Sequence, residues 1–222
     1  MSSDDATLVN VQIFETAEQV ASAAADLVAE ALAGGARTLV LAGGSTPKRA
    51  YQLLVDRPLE WGRVTVLFGD ERCVPPDDPE SNYLLAKQEL LDHVYPATVH
   101  RMPAELGPET GAMLYDPVVR VLSPLDLVLL GMGPDGHTAS LFPGLPGLEA
   151  QGYAMGVRNS PKPPPERVSL TLKALREARR VVFLVTGADK ADAVLLAREG
   201  SVPSGMIPGA EYLLDRAAAA RL

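Results

Sequence analysis

Residues 38–55 read TLVLAGGSTPKRAYQLLV, and this stretch decides the fold class. Its first five residues, Thr38–Ala42, are a short apolar run with no polar alternation, the pattern of a strand covered on both faces. Gly43 and Gly44 then permit a tight turn and close backbone approach. Ser45 or Thr46 is expected to cap the next helix, with Pro47 at its first position. A strand that ends in a Gly-Gly turn and feeds a helix is the repeating unit of a parallel α/β sheet.

The same alternation extends in both directions. Further strands are expected at Val64–Phe68, Asp126–Leu130, Arg167–Thr171 and Val181–Thr186, and helices near 16–33, 47–55, 81–92, 109–121, 189–199 and 210–218. The expected fold is therefore α/β: a largely parallel, Rossmann-like sheet flanked by helices on both faces, in a single domain. Residues 1–10 read as an N-terminal tail and 11–222 as the domain. The Pro/Gly-rich stretch from Phe142 to Pro165 reads as a loop excursion, because too little chain follows it for a second domain. Pro117 falls inside the 109–121 segment, where it is expected to kink or end the helix.

A chain of 222 residues with 47% hydrophobic and 22% charged residues is long enough for one well-buried core. Its net charge of −8 argues against nucleic acid or an anionic membrane as partner. That excess is uneven. Six acids and no base fall in the first 30 residues; taking them from the total of 28 leaves 22 acids against 20 Lys and Arg. One cysteine, Cys73, excludes an intrachain disulfide and fits a reducing compartment. No apolar run approaches a membrane span, and MSSDDATLVN has no basic region followed by an apolar stretch, so the expected location is the cytoplasm.

In parallel sheets ligands bind beyond the carboxyl ends of the strands, so the segments after each strand hold the candidate site. Gly43, Gly44, Ser45 and Thr46 form the first, a helix start able to cradle phosphate. The pattern is neither GxGxxG nor GxSxG, which makes a serine-hydrolase elbow at Ser45 a poor reading. The second is Phe68-Gly69-Asp70-Glu71-Arg72-Cys73, three ionisable residues that are costly to bury unless paired or facing a ligand. Arg72 offers a planar fork suited to phosphate.

The third is Leu130-Gly131-Met132-Gly133-Pro134-Asp135-Gly136-His137, where glycines bend the chain around a histidine able to take a proton from water. Asp135, two residues earlier, is placed to orient that imidazole or to bind a sugar hydroxyl. Two more cations stand at strand ends: Arg167 after a Pro-rich loop, and Lys190 in Thr186-Gly187-Ala188-Asp189-Lys190. No His/Cys spacing suits a metal. This set fits a phosphorylated small molecule undergoing proton transfer or water attack, and the residues alone leave isomerisation, deamination and hydrolysis open.

The segments LAGGSTPKRAY, LFGDERCVPPDDPESNY and DLVLLGMGPDGHTASLFPG resemble the signature segments of the 6-phosphogluconolactonase family, and the similarity continues through PKPPPERVSLTLKAL, VTGADKADAV and PSG…EYLLDRAAA. The resemblance covers nearly the whole chain after residue 10. The related glucosamine-6-phosphate deaminases and isomerases continue a similar Asp-Gly-His segment into Asn-Glu-Pro-Gly and usually carry a tyrosine after their Asp-Glu pair. Here Ser140-Leu141-Phe142-Pro143-Gly144 and Arg72 stand instead, which favours the lactonases.

The resemblance implies hydrolysis of 6-phospho-D-glucono-1,5-lactone without a metal or organic cofactor. It implies His137 as general base, Asp135 and Asp70 as groups that orient His137, water or sugar hydroxyls, and Arg72, Arg167 and Lys190 with Gly43, Gly44, Ser45 and Thr46 as substrate-binding residues. The expected partner is the sugar-phosphate lactone alone, and the expected state a monomer or weak homo-oligomer. The alternatives are a deaminase- or isomerase-like sugar-phosphate enzyme and a non-catalytic sugar-phosphate-binding module.

Overall fold

The structure, a computed structural model, describes residues 10–222. The expected tail therefore lies outside the described residues except for Asn10, which opens the first strand. In chain order the first half contains β1 (Asn10–Phe14), α1 (Ala17–Ala33), β2 (Thr38–Leu41), α2 (Ser45–Val55), β3 (Thr65–Phe68), β4 (Asp70–Arg72), α3 (Asn82–Ala86), β5 (Thr98–Val99) and α4 (Pro108–Leu122). The second half contains β6 (Leu127–Leu130), β7 (Ala154–Val157), β8 (Arg167–Leu170), α5 (Leu172–Glu177), β9 (Val181–Val185), α6 (Ala191–Arg198) and β10 (Glu211–Asp215).

Seven strands form one parallel sheet in the order β1-β10-β9-β6-β2-β3-β5. From β2 the chain builds outward through β3 and β5, and from β6 it builds the other way through β9 and β10. The β2–β6 pair is thus the switch point, where the departing loops diverge and leave a crevice at the carboxyl ends. β2, β6 and β9 are buried along their whole length, as strands covered on both faces must be. The helices α1 and α2 pack against each other, while α4 lies on a second, three-stranded antiparallel sheet of order β4-β8-β7.

Four expectations change. The strand expected at Arg167–Thr171 is β8, which belongs to the small antiparallel sheet and not to the main one. The stretch from Phe142 to Pro165 is not all loop, because it contains β7, the outer strand of that sheet. The helix expected at 210–218 is instead β10: Tyr212, Leu213 and Leu214 are buried between β1 and β9, and Asp215 ends the strand by accepting from the Gly187 and Ala218 N–H groups. The alanines that follow suggested a helix, but burial of Tyr-Leu-Leu in the sheet decides the segment. Finally, α4 runs through Pro117 without ending. The carbonyl that loses its helical N–H partner to Pro117 belongs to Met113, an exposed residue, so the missing bond does not leave a buried group unpaired.

Two buried tyrosines finish the central strands. The Tyr51 hydroxyl, from α2, accepts from the Ala42 N–H at 2.8 Å and donates to the Ala42 carbonyl at 2.7 Å. The Tyr115 hydroxyl, from α4, accepts from the Phe68 N–H at 2.9 Å and lies 3.3 Å from the Phe68 and His100 carbonyls. Burial raises both phenols far above the usual tyrosine range, so each stays protonated and able to donate. The backbone groups at the strand ends are therefore satisfied without water, and the loops leave from fixed points. Tyr115→Phe is expected to strand the buried Phe68 N–H and cost about 1–3 kcal/mol, measured as a lower urea midpoint at unchanged slope.

Candidate functional site

A cleft of about 290 Å³ opens at the switch point. The loops after β2, β3 and β6, the start of α3, and the Pro-rich loop before β8 all contribute to it. Its floor is backbone: Gly43 and Gly44 after β2, Gly69 after β3, and Gly131 to Gly133 after β6. Gly44 has φ 111° and stands as the N-cap of α2 with no side-chain cap. Ser45 and Thr46 are therefore the first two residues of the helix, not its cap, and Pro47 is the third. Neither hydroxyl lines the cleft: Ser45 is exposed, and Thr46 is buried with its oxygen 2.8 Å from that of Thr186. What reaches the cleft from this segment is the Gly43–Gly44 backbone and the positive end of α2.

His137 lines the cleft and is fixed from two sides. Its Nδ1 lies 2.5 Å from Asp135 Oδ1, which leaves Nε2 as the nitrogen free for chemistry. One face of the ring packs on buried Phe142, centroids 4.5 Å apart. A Cβ at position 133 would lie 2.0 Å from the ring and 2.6 Å from Asp135 Oδ1, so only glycine fits beside this pair. Burial pushes the imidazole pKa below 6.5, and the hydrogen bond and charge of Asp135 raise it only in part. The lowered pKa favours the neutral form of the ring. Burial acts to raise the Asp135 pKa, but the bond and charge of His137 outweigh it and hold the carboxyl below the usual range.

Asp70 is buried in the cleft wall, where three elements meet on its carboxylate. Asn82 Nδ2 donates to Oδ1 at 3.1 Å and to the Asp70 carbonyl at 2.9 Å. Ser140 Oγ donates to Oδ2 at 2.6 Å, and the Arg167 guanidinium stands 3.8 Å from the same oxygen. Glu71 is buried beside it and accepts from the N–H groups of Arg72, Asn82 and Tyr83 and from the Ser81 hydroxyl. The bonds from Ser81, Asn82 and Tyr83 close the start of α3, and all four offset part of the burial that raises the Glu71 pKa.

The cations come together as expected, with one addition. Arg72 and Arg167 are directly opposite in the β4–β8 ladder, a like-charge pairing that costs stability unless an anion meets it. Arg72 Nε is buried with no partner among the described residues. Arg167 is almost wholly buried; it donates to the carbonyls of Lys162, Pro163 and Pro164 and lies over the Phe142 ring at 5.8 Å. Burial pushes its guanidinium pKa down, Asp70 opposes this, and Arg72 adds to it. Lys190 lines the cleft and pairs with Asp189.

Lys162 is the cation that sequence reasoning missed. Held between Pro161 and Pro163, with its carbonyl bound by Ser160 and Arg167, it also lines the cleft. Its position between prolines was the available signal. Asn82 was missed too, because a Ser-Asn pair at a helix start reads as capping alone.

Cys73 is only partly exposed, and burial, with Glu166, Glu109 and Glu71 nearby, pushes its thiol up to about 11. The described residues hold no group of three or more His, Cys, Asp and Glu arranged for a metal, and no helix among them is long and apolar enough to cross a membrane.

An α/β crevice with four cations, one buried carboxylate and one neutral imidazole is complementary to a small anion. The chain belongs to the glucosamine-6-phosphate isomerase/6-phosphogluconolactonase family, whose model matches residues 13–215. It is 40% identical to the 6-phosphogluconolactonase of Mycobacterium leprae, over 96% of this chain and 98% of that protein. It is also 40% identical to the 6-phosphogluconolactonase of Streptomyces coelicolor, over 85% of this chain and 83% of the other. The solved 6-phosphogluconolactonase of Trypanosoma brucei superimposes with a TM-score of 0.86 at 28% identity, covering 96% of this chain and 98% of that one.

The His137 titration is open to direct measurement. Its imidazole resonances are expected to titrate below 6.5, and Asp135→Asn to move the midpoint further down, since the lost carboxylate favoured the imidazolium. An upward move would contradict the assigned contact.

Proposed function

We propose that this protein hydrolyses 6-phospho-D-glucono-1,5-lactone to 6-phospho-D-gluconate. One observation carries the reading: a neutral imidazole, oriented by Asp135, shares a small cleft with the opposed Arg72–Arg167 pair. A base and an anion anchor in one cleft suit a substrate whose phosphate and reacting carbon belong to the same small molecule. Membership of the family and the lactonase relatives support it.

His137 Nε2 takes a proton from water as the water oxygen bonds to lactone C1. The imidazolium is stabilised by Asp135 through Nδ1–H. Collapse of the tetrahedral intermediate breaks the bond from C1 to the ring oxygen, which takes the proton back from His137. Such acid–base help contributes about 10²–10⁴-fold in rate. The Gly43–Gly44 turn, at the positive end of α2, offers backbone N–H groups to the oxyanion. Arg72, Arg167, Lys162 and Lys190 hold the 6-phosphate, so that binding energy at one end of the molecule fixes geometry at the other. Asp70 acts as the brace that sets Arg167, Ser140 and Asn82.

The residues after the histidine favour this reading over a deaminase. Leu141 and Phe142 precede Pro143-Gly144 where the deaminases carry Asn-Glu, and both are buried apolar side chains, so no carboxylate stands there to open a sugar ring. Ammonia release from glucosamine 6-phosphate is accordingly expected to be nil.

His137→Asn is expected to reduce lactone opening to the spontaneous background. Near-full activity in that variant overturns the assignment, and tight 6-phosphogluconate binding by an inactive parent points to a binding module instead. In the parent, kcat/KM should fall on the acid side through a pKa below 6.5, because protonation removes the base. Arg72→Ala should raise KM for the phosphorylated lactone by about 10-fold or more and leave unphosphorylated gluconolactone little changed, since a lost charge-assisted contact costs roughly 1.5–3 kcal/mol. Equal effects on both substrates would remove Arg72 from the phosphate site.

A further inference from the structure

Asn82 has all of its side-chain bonding directed inward. The residue is buried, yet it lines the cleft at the first position of α3. Both Nδ2 contacts go to Asp70, one to the carbonyl and one to Oδ1. Because both partners are acceptors, the amide nitrogen must face Asp70 and the amide oxygen must face the other way. That oxygen points at the Gly43–Gly44 turn: a Cβ on Gly43 would lie 2.0 Å from Oδ1, 2.7 Å from Cγ and 3.2 Å from Nδ2. The three nearest atoms to that added carbon therefore all belong to Asn82. Gly43 is not among the residues with positive φ, so its lack of a side chain answers to this amide and not to backbone strain.

The turn in turn abuts the loop that carries His137, for a Cβ on Gly131 would stand 3.9 Å from the Gly43 carbonyl oxygen. The backbone N–H of Asn82 is itself held by Glu71 at 2.8 Å. The amide is thus clamped between a buried carboxylate on one side and a bare backbone turn on the other.

We infer that Asn82 is a positioning residue for the reaction: its amide sets the distance between the Asp70 carboxylate and the Gly43–Gly44 backbone. It rests on the hydrolase reading above. Both N–H donors of the Asn82 amide are spent on Asp70 and its Oδ1 abuts Gly43, so it acts through the turn that faces the reacting carbon and the brace beneath it. The effect belongs in kcat. The phosphate cations are seated mainly by β4, β8 and the Pro-rich loop, so KM is little affected.

The test uses the intact protein with the phosphorylated lactone. Asn82→Ala and the isosteric Asn82→Asp, which keeps the shape but removes the donors to Asp70, should each lower kcat about tenfold or more, with KM within about threefold. Gly43→Ala alone should lower kcat more severely. In the Asn82→Ala background, which removes Oδ1, Cγ and Nδ2, the same substitution should cost almost nothing further. Cooperative urea unfolding of each variant separates these effects from loss of fold. The assignment is overturned if kcat is retained in both Asn82 variants, if the loss lies in KM, or if the Gly43 and Asn82 effects multiply as independent ones. A parent with no lactonase activity overturns the hydrolase reading and this one together, whereas an active parent with indifferent Asn82 variants overturns only this one.

Discussion

The Asp70 carboxylate is the constraint on which the rest of the cleft depends. A buried charge is tolerated only when its oxygens are bonded and its charge is met, and Asp70 obtains this from Asn82, Ser140 and Arg167. Those partners come from the start of α3, the loop after His137, and β8. No one of these elements can move without leaving the carboxylate under-compensated, so three separate stretches of chain are held in one arrangement. Glu71 extends the constraint by closing the start of α3 with three hydrogen bonds, from Ser81, Asn82 and Tyr83, and by accepting a fourth from the Arg72 N–H of β4.

The framework beneath is equally specified. Tyr51 and Tyr115 satisfy the backbone at Ala42 and Phe68, so the Gly-rich loop and the acidic loop leave the sheet from rigid ends. Chemistry carried on loops and precision carried by strands is the usual division in α/β proteins. Close approach supplies the remainder. Gly133 admits the His137–Asp135 pair and Gly43 admits the Asn82 amide, each at a separation that a methyl group would prevent.

The acidic excess has a different fate from the one its magnitude suggests. Among the described N-terminal acids, Glu15 pairs with Arg216, Glu18 with Arg49 and Asp26 with Arg57. These are exposed contacts of small energetic consequence. They lie on β1–α1 and its neighbours, away from the residues of the cleft. Net charge thus describes the surface as a whole, while four local cations set the character of the site.

The core strands were legible because β2, β3, β6 and β9 are apolar runs without alternation, and a strand with both faces covered has that signature in any context. β1 was not, since this edge strand is exposed or half-buried along its whole length, and β10 was hidden by the alanines that follow it. The cleft residues Gly43, Gly44, Asp70, Arg72, His137, Arg167 and Lys190, with Asp135 bonded to His137, were also readable, because ionisable groups at strand ends are costly to bury without a partner or ligand and adjacent glycines mark a tight turn. By itself, then, the sequence determined the α/β class and the chemical types at the rim. Only the tertiary structure left Ser45 and Thr46 outside the lining of the cleft, brought Lys162 into it on the Pro-rich loop, and wedged Asn82 between Asp70 and Gly43. Those outcomes depend on distances between segments far apart in the chain, which packing sets and no local pattern encodes.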